Sequence, residues 1–237
     1  MSLPCFYVTP ENLQHNLVTL SEETSKHVVQ VLRMQENDKI KLTDGQGFFY
    51  EATIQNANRK KCLVNWQEKL AQPAPDFKVR IAISLVKNNS RFEWFLEKAT
   101  EIAVAEIIPI ICERTEKQKA KFERMQSILI SAMLQSQQAW LPKMEEPISL
   151  KKLLLEKNNS QKFIACCDER FETLILTQLP EYKNDCLLLI GPEGDFTKEE
   201  IEMAVVQGYQ PVSLGATRLR TETAGLIGAV QLQAKGC

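Results

Sequence analysis

The chain has 237 residues, of which 44% are hydrophobic and 25% charged, and its formal net charge is -1 at pH 7. Such totals fit one large or two small globular domains and argue against coating nucleic acid by bulk charge, although a local basic patch stays open. No apolar run is long enough to span a bilayer, and the N-terminus lacks the basic-then-apolar order of a signal peptide, so a cytoplasmic location is expected.

In chain order, residues 1–72 read as a small strand-rich domain. The stretch Ser21 to Met34 predicts a short helix capped by Ser21 and burying Val28, Val31 and Leu32, with Arg33 as a basic charge at its C-terminal end. Lys39–Thr43 alternates, 44–47 turns through two glycines, and Phe48–Ile54 returns, which predicts a hairpin. Cys62, Val64 and Trp66 alternate in a third strand, and short strands at this spacing suggest a small barrel. The break Ala71-Gln-Pro-Ala-Pro75 sets a domain boundary, giving domains of 1–72 and 73–237.

Beyond the break, strands and helices alternate. Val79–Val86 has the length of a buried strand; Ser90 and Glu93 are spaced as a capping box; and Phe92, Phe95, Leu96, Ala99, Ile102 and Ala103 form a helical stripe. A strand is expected at Ile107–Cys112, a helix over Met125–Trp140, a short helix from Ser149, and buried strands at Phe163–Cys167 and Cys186–Ile190. Thr197 and Glu200 form a second capping box for a helix ended by Gly208, a strand comes next at Pro211–Leu214, and a last helix starts near Ala224. Repeated βα units with strands apolar on both faces imply a parallel sheet covered by helices.

Two glycine-bearing turns, at 191–194 and at 215, therefore leave two strands at what should be one edge of the sheet, where ligands of open α/β folds bind. The phosphate-loop, dinucleotide and nucleophile-elbow patterns are absent. What remains is a backbone-lined slot in which Gly191, Gly194 and Gly215 admit a flat ligand such as adenine. Arg218, Arg220 and Glu222 stand between the second turn and a helix start. The seven cysteines form no CxxC pairs and read as free thiols, and with only His15 and His27 there is no histidine metal cluster. A basic run, Arg114 to Arg124, holds five basic residues against two acidic ones and is either a solvated surface or a phosphate contact.

Gly191-Pro-Glu-Gly-Asp-Phe196 followed by Leu214-Gly-Ala-Thr-Arg-Leu-Arg-Thr-Glu-Thr-Ala-Gly225 resembles the paired C-terminal motifs of the RsmE family, which methylates N3 of a uridine in small-subunit (16S) rRNA. His27 to Arg33, Glu97 to Glu101, and Gln135-Ser136 with Pro142 match the same family in order. The resemblance implies an α/β protein with an N-terminal PUA-like RNA-binding barrel and a C-terminal SPOUT methyltransferase domain with a trefoil knot. It also implies a homodimer and S-adenosylmethionine as methyl donor. The donor's adenine would lie against Leu189, Ile190, Gly191, Pro192, Glu193 and Gly194 on one side. Leu214, Gly215, Leu219, Thr221, Thr223 and Ala224 would form the other. RNA would meet Arg33, Arg114, Lys117, Lys119 and Lys121. This chain departs from the family pattern at Asp195 and Ala103, where glycine is common, and at Cys5 and Gln138, where arginines are usual.

Methylating N3 of uracil requires removal of its proton and stabilisation of charge on O2 and O4. A positioned guanidinium supplies the second effect, which assigns Arg220 and then Arg218 to catalysis, with Glu222 orienting the arginine or relaying the proton. Two other readings of the residues stay open: a non-catalytic RNA-binding protein that keeps the fold, and an unrelated α/β enzyme binding an adenine nucleotide.

Overall fold

The structure is a computed structural model; it describes residues 3–116, 121–179 and 182–235. The chain divides into two compact units, one of 1–74 with 133–141 and one of 75–132 with 142–237.

The first unit carries a five-stranded sheet in the order β1 (Cys5–Tyr7), β3 (Lys39–Thr43), β4 (Phe48–Asn56), β5 (Leu63–Ala71), β2 (Leu17–Thr19). The alternation in β3 to β5 sends Ile40, Leu42, Ile54 and Val64 into one core. Helix α1 (Glu22–Lys26) is capped by Ser21, whose side chain accepts the N–H of Thr24. It then widens into a π-helical turn over His27–Val31. The extra residue per turn rotates the backbone beyond it, so Val28 is buried while Val31 is 66% exposed and Leu32 41% exposed, against expectation. Arg33 ends the turn at φ +55°, a left-handed stop usually taken by glycine. Segment 133–141 belongs to this unit through Trp140, whose Nε1 donates to the carbonyls of Gln72 and Pro73 at 3.1 and 3.2 Å.

The second unit is built on a parallel sheet. Its strands are β6 (Lys78–Ser84), β7 (Glu106–Ile111), β8 (Lys143–Met144), β9 (Ile148–Ser149), β10 (Gln161–Ala165), β11 (Leu174–Ile175), β12 (Asp185–Ile190) and β13 (Gln210–Ser213). They run in the order β11-β13-β10-β12-β6-β7-β8, with β9 also pairing β7. Helices α4 (Leu150–Leu155) and α5 (Lys198–Val206) cover one face, packing on Leu187 and Leu189. Helices α2 (Asn89–Glu101) and α6 (Thr221–Gln233) take the other, where Gly228 admits the sheet so closely that a Cβ there would stand 2.3 Å from Leu188 Cδ2.

Several boundaries differ from the sequence expectation. Asn88, not Ser90, caps α2, because its side chain accepts the N–H of Ser90. Helix α3 (Phe122–Gln135) stops five residues short of Trp140, since Gln137 turns left-handed at φ +57°. Helix α6 starts at Thr221, so Thr223 sits inside its first turn. The Thr197–Glu200 capping box and the left-handed Gly208 are as expected.

Candidate active site

All pairings in the second sheet are parallel, so its strands end at one edge. Strand β10 lies between β12 and β13. The three segments that leave these strands therefore converge, and they enclose a cavity of about 330 Å³. Ligands of open α/β sheets sit at such carboxyl ends, in cavities of about this size.

Eleven of the predicted residues line this cavity: Ile190, Gly191, Pro192 and Glu193 after β12, and Leu214, Gly215, Arg218, Leu219, Arg220, Thr221 and Ala224 after β13. Four others do not stand on its wall. Leu189 is buried in the core under α4 and α5. Gly194 is turned toward Arg114, whose Cδ would lie 3.3 Å from a Cβ at that position. Thr223 and Glu222 lie on α6, where Glu222 has a side chain only 9% exposed and faces the Nε of Arg91 at 3.7 Å.

The glycines have reasons of their own. A Cβ on Gly191 would press at 3.1 Å on the ring and the backbone nitrogen of Phe196, so this glycine serves the packing of the loop. Gly215 has free space around it but adopts φ +147°, a conformation that L side chains rarely take. The β13 loop is fixed from α6, since Gln231 Nε2 donates to the Leu214 carbonyl at 3.1 Å.

The β12 loop is held from two other strand ends. The N–H of Lys87, beyond β6, donates to Glu193 Oε1 at 3.0 Å. Arg114, beyond β7, donates through Nη1 to the carbonyls of Gly194 at 2.7 Å and Phe196 at 3.3 Å. Glu200 adds the N–H of Glu113 at 2.8 Å to its capping box. Of the residues expected to meet RNA, Arg114 is thus committed to the cavity loop. Arg33 and Lys121 are exposed, and Lys117 and Lys119 lie outside the described residues.

The cavity wall also holds Asp195, noted in the sequence as a departure from the family pattern, Thr217 between the expected Gly215 and Leu219, and residues that the sequence reading passed over: Arg91 from α2, Ala165, Cys166 and Cys167 after β10, and Val212 and Ser213 on β13. The signal for Cys166 and Cys167 was present, since they end a predicted strand; Arg91 carried none. Charges on the wall are mixed, three arginines against Glu193 and Asp195. Burial pushes the Cys166 thiol up to about 11, with the negative charge of Asp195 adding to it, and the same two causes raise Cys167.

Residues 72–233 match the RNA methyltransferase domain family, and residues 20–65 match the RNA methyltransferase PUA domain. A parallel sheet with this cavity and this match defines the class as RNA methyltransferase. A ribosomal RNA small subunit methyltransferase E from Synechocystis sp. is 30% identical over 234 residues, covering 96% of this chain and 76% of that protein. The crystal structure of a probable rRNA-methyltransferase from Porphyromonas gingivalis superposes with a TM-score of 0.90 at 39% identity, covering 98% of this chain and 99% of that one. That of a ribosomal RNA small subunit methyltransferase E from Neisseria gonorrhoeae, bound to S-adenosyl methionine, gives 0.87 at 28% identity, covering 98% of each. The chain belongs to the ribosomal RNA small subunit methyltransferase E family.

Proposed function

We propose that this chain is an S-adenosylmethionine-dependent methyltransferase that methylates N3 of a uridine in small-subunit rRNA. The observation that carries the reading is the cavity at the ends of β10, β12 and β13, with Arg218 and Arg220 on its wall. Its residues fit the donor. Apolar Ile190, Leu214 and Leu219 suit an adenine, adjacent main chain offers it hydrogen bonds, and Glu193 and Asp195 suit a cation. When bound, the donor supplies a methyl group on a cationic sulfonium. Arg220, with Arg218, orients the uracil through its oxygens and stabilises charge on O2 and O4 as the N3 proton passes to water. Glu222, in the first turn of α6 and facing Arg91, acts as an orienting group for the site.

Residues 1–72, with the 133–141 segment that packs in the same unit, serve as the PUA-like RNA-binding barrel, and the rest of 73–237 serves as the SPOUT methyltransferase domain. The strand order supports a trefoil knot: after β10 the chain inserts β12 between β10 and β6, then crosses back to β13 on the other edge of β10. Arg33 supports RNA binding by the first domain, because a non-glycine residue kept at φ +55°, with its side chain exposed, holds strain that a function explains. The working form is a homodimer. Helix α6 is apolar around most of its surface and leaves Val230 44% exposed, and covering it with a second copy buries that face. Among the described residues no helix is long and apolar enough to cross a membrane, and a ribosomal substrate places the work in the cytoplasm.

Calorimetric titration with S-adenosylmethionine and S-adenosylhomocysteine, followed by methyl transfer to small ribosomal subunits, tests the reading. Saturable binding of both and a methyl group at uridine N3 are expected; tighter binding of ATP or NAD, or a methyl group at another atom, overturns it.

A further inference from the structure

The backbone of Asp195 lies at φ +62°. Glycine takes that conformation without strain, and among other residues Asp and Asn tolerate it best. The carboxylate uses the position. Its Oδ1 accepts the N–H of Phe196 at 2.8 Å, which closes the residue's own turn. Its Oδ2 accepts the N–H of Cys167 at 2.9 Å, which reaches the segment leaving β10. Asp195 and Cys167 both line the cavity. Lys87 and Arg114 brace the same loop from behind, whereas the Asp195 bond joins two walls of the cavity to each other.

We propose that Asp195 is a positioning residue of the donor site, a carboxylate tether that sets the spacing of the β12 and β10 segments before the donor arrives. The inference rests on the reading of this cavity as the S-adenosylmethionine site. Hydrogen bonds from backbone N–H groups to a carboxylate are short and strong, and a slot ordered in advance spares the ligand the cost of ordering it. Each carboxylate oxygen takes one N–H, so the tether needs both acceptors. Asparagine keeps the shape and supplies one. Glycine removes the tether and relieves the backbone.

The test compares Asp195→Asn and Asp195→Gly with the wild type in donor binding, donor KM against kcat, melting temperature and amide exchange at Cys167. The Kd values of S-adenosylmethionine and S-adenosylhomocysteine rise together, by about tenfold in Asp195→Asn, which loses one hydrogen bond to a charged group, and by at least as much in Asp195→Gly, which loses both. Donor KM rises by more than kcat falls, and the Cys167 amide exchanges faster. Asp195→Gly, relieved of its backbone strain, melts higher than Asp195→Asn yet binds no tighter, so affinity does not follow stability, a combination that a merely structural role does not give. Wild-type affinity in both variants, or affinity lost only in step with stability, overturns the tether. Failure of the wild type to bind either ligand overturns the reading of the cavity itself.

Discussion

The Nε of Arg91 lies 3.7 Å from Oε1 of Glu222, linking the start of α2 to the first turn of α6 beside the cavity. Glu222 is almost covered, so its carboxylate faces the guanidinium rather than solvent. In the proposed mechanism this geometry suits Glu222 to orienting the guanidinium rather than moving a proton. Glu222→Gln is expected to lower turnover by about tenfold or less, whereas general acid-base transfer contributes about 10²-fold or more. A single-turnover rate reduced beyond that range would assign proton transfer to Glu222.

Arg220 is the last residue before α6 and stands on the cavity wall. Arg220→Ala should cost about 10²- to 10³-fold in turnover, the magnitude seen when one donor to a developing oxyanion is removed. Affinity for S-adenosylhomocysteine should stay within about threefold of wild type, a change worth less than a single neutral hydrogen bond. Near-normal turnover would remove Arg220 from the mechanism.

Arg114 is spent on the carbonyls of Gly194 and Phe196. Arg114→Ala should weaken S-adenosylhomocysteine binding by about fivefold or more, one hydrogen bond's worth. The slope of log RNA affinity against log salt should not change. A slope shallower by about 0.7 to 0.9 would make Arg114 a phosphate contact.

Cys167 is the exposed cysteine among those described, and it lines the cavity. Partial burial of the thiol and the charge of Asp195 raise its pKa, and the thiolate is the reactive form, so labelling by a maleimide should be slow at pH 7 and accelerate as pH rises. S-adenosylhomocysteine should protect it. Mass spectrometry of the labelled protein in a Cys237→Ser background reads the site, and labelling indifferent to the ligand would separate Cys167 from the donor slot.

Ala103 holds φ +58° just beyond Ile102, the C-cap of α2. Its carbonyl accepts Gln233 Nε2 at 3.0 Å, which keeps the turn in place. A left-handed alanine is strained by roughly 1 kcal/mol, so Ala103→Gly should stabilise the protein by about that amount. The shift is read as a higher urea midpoint at constant slope; a lower midpoint would mean that unfolded-chain entropy outweighs the strain.

Elements whose causes are local were legible in the chain alone. Hydrophobic runs of strand length marked β6, β7, β10 and β12 within one or two residues, and the hydroxyl and carboxylate three apart marked the Thr197–Glu200 box. The paired turns around Gly191 and Gly215 were legible because such turns draw on a few residue types. Features that depend on partners distant in the chain were set by the tertiary fold. That β10 lies between β12 and β13 brought Cys166 and Cys167 into the cavity, and pairing order leaves no trace in local periodicity. The closeness of Arg91 to Glu222 across 131 positions was equally invisible. A helical stripe also predicted Val31 and Leu32 inside, but one π-helical turn rotated them outward, because burial tracks the actual pitch of the backbone and not its average.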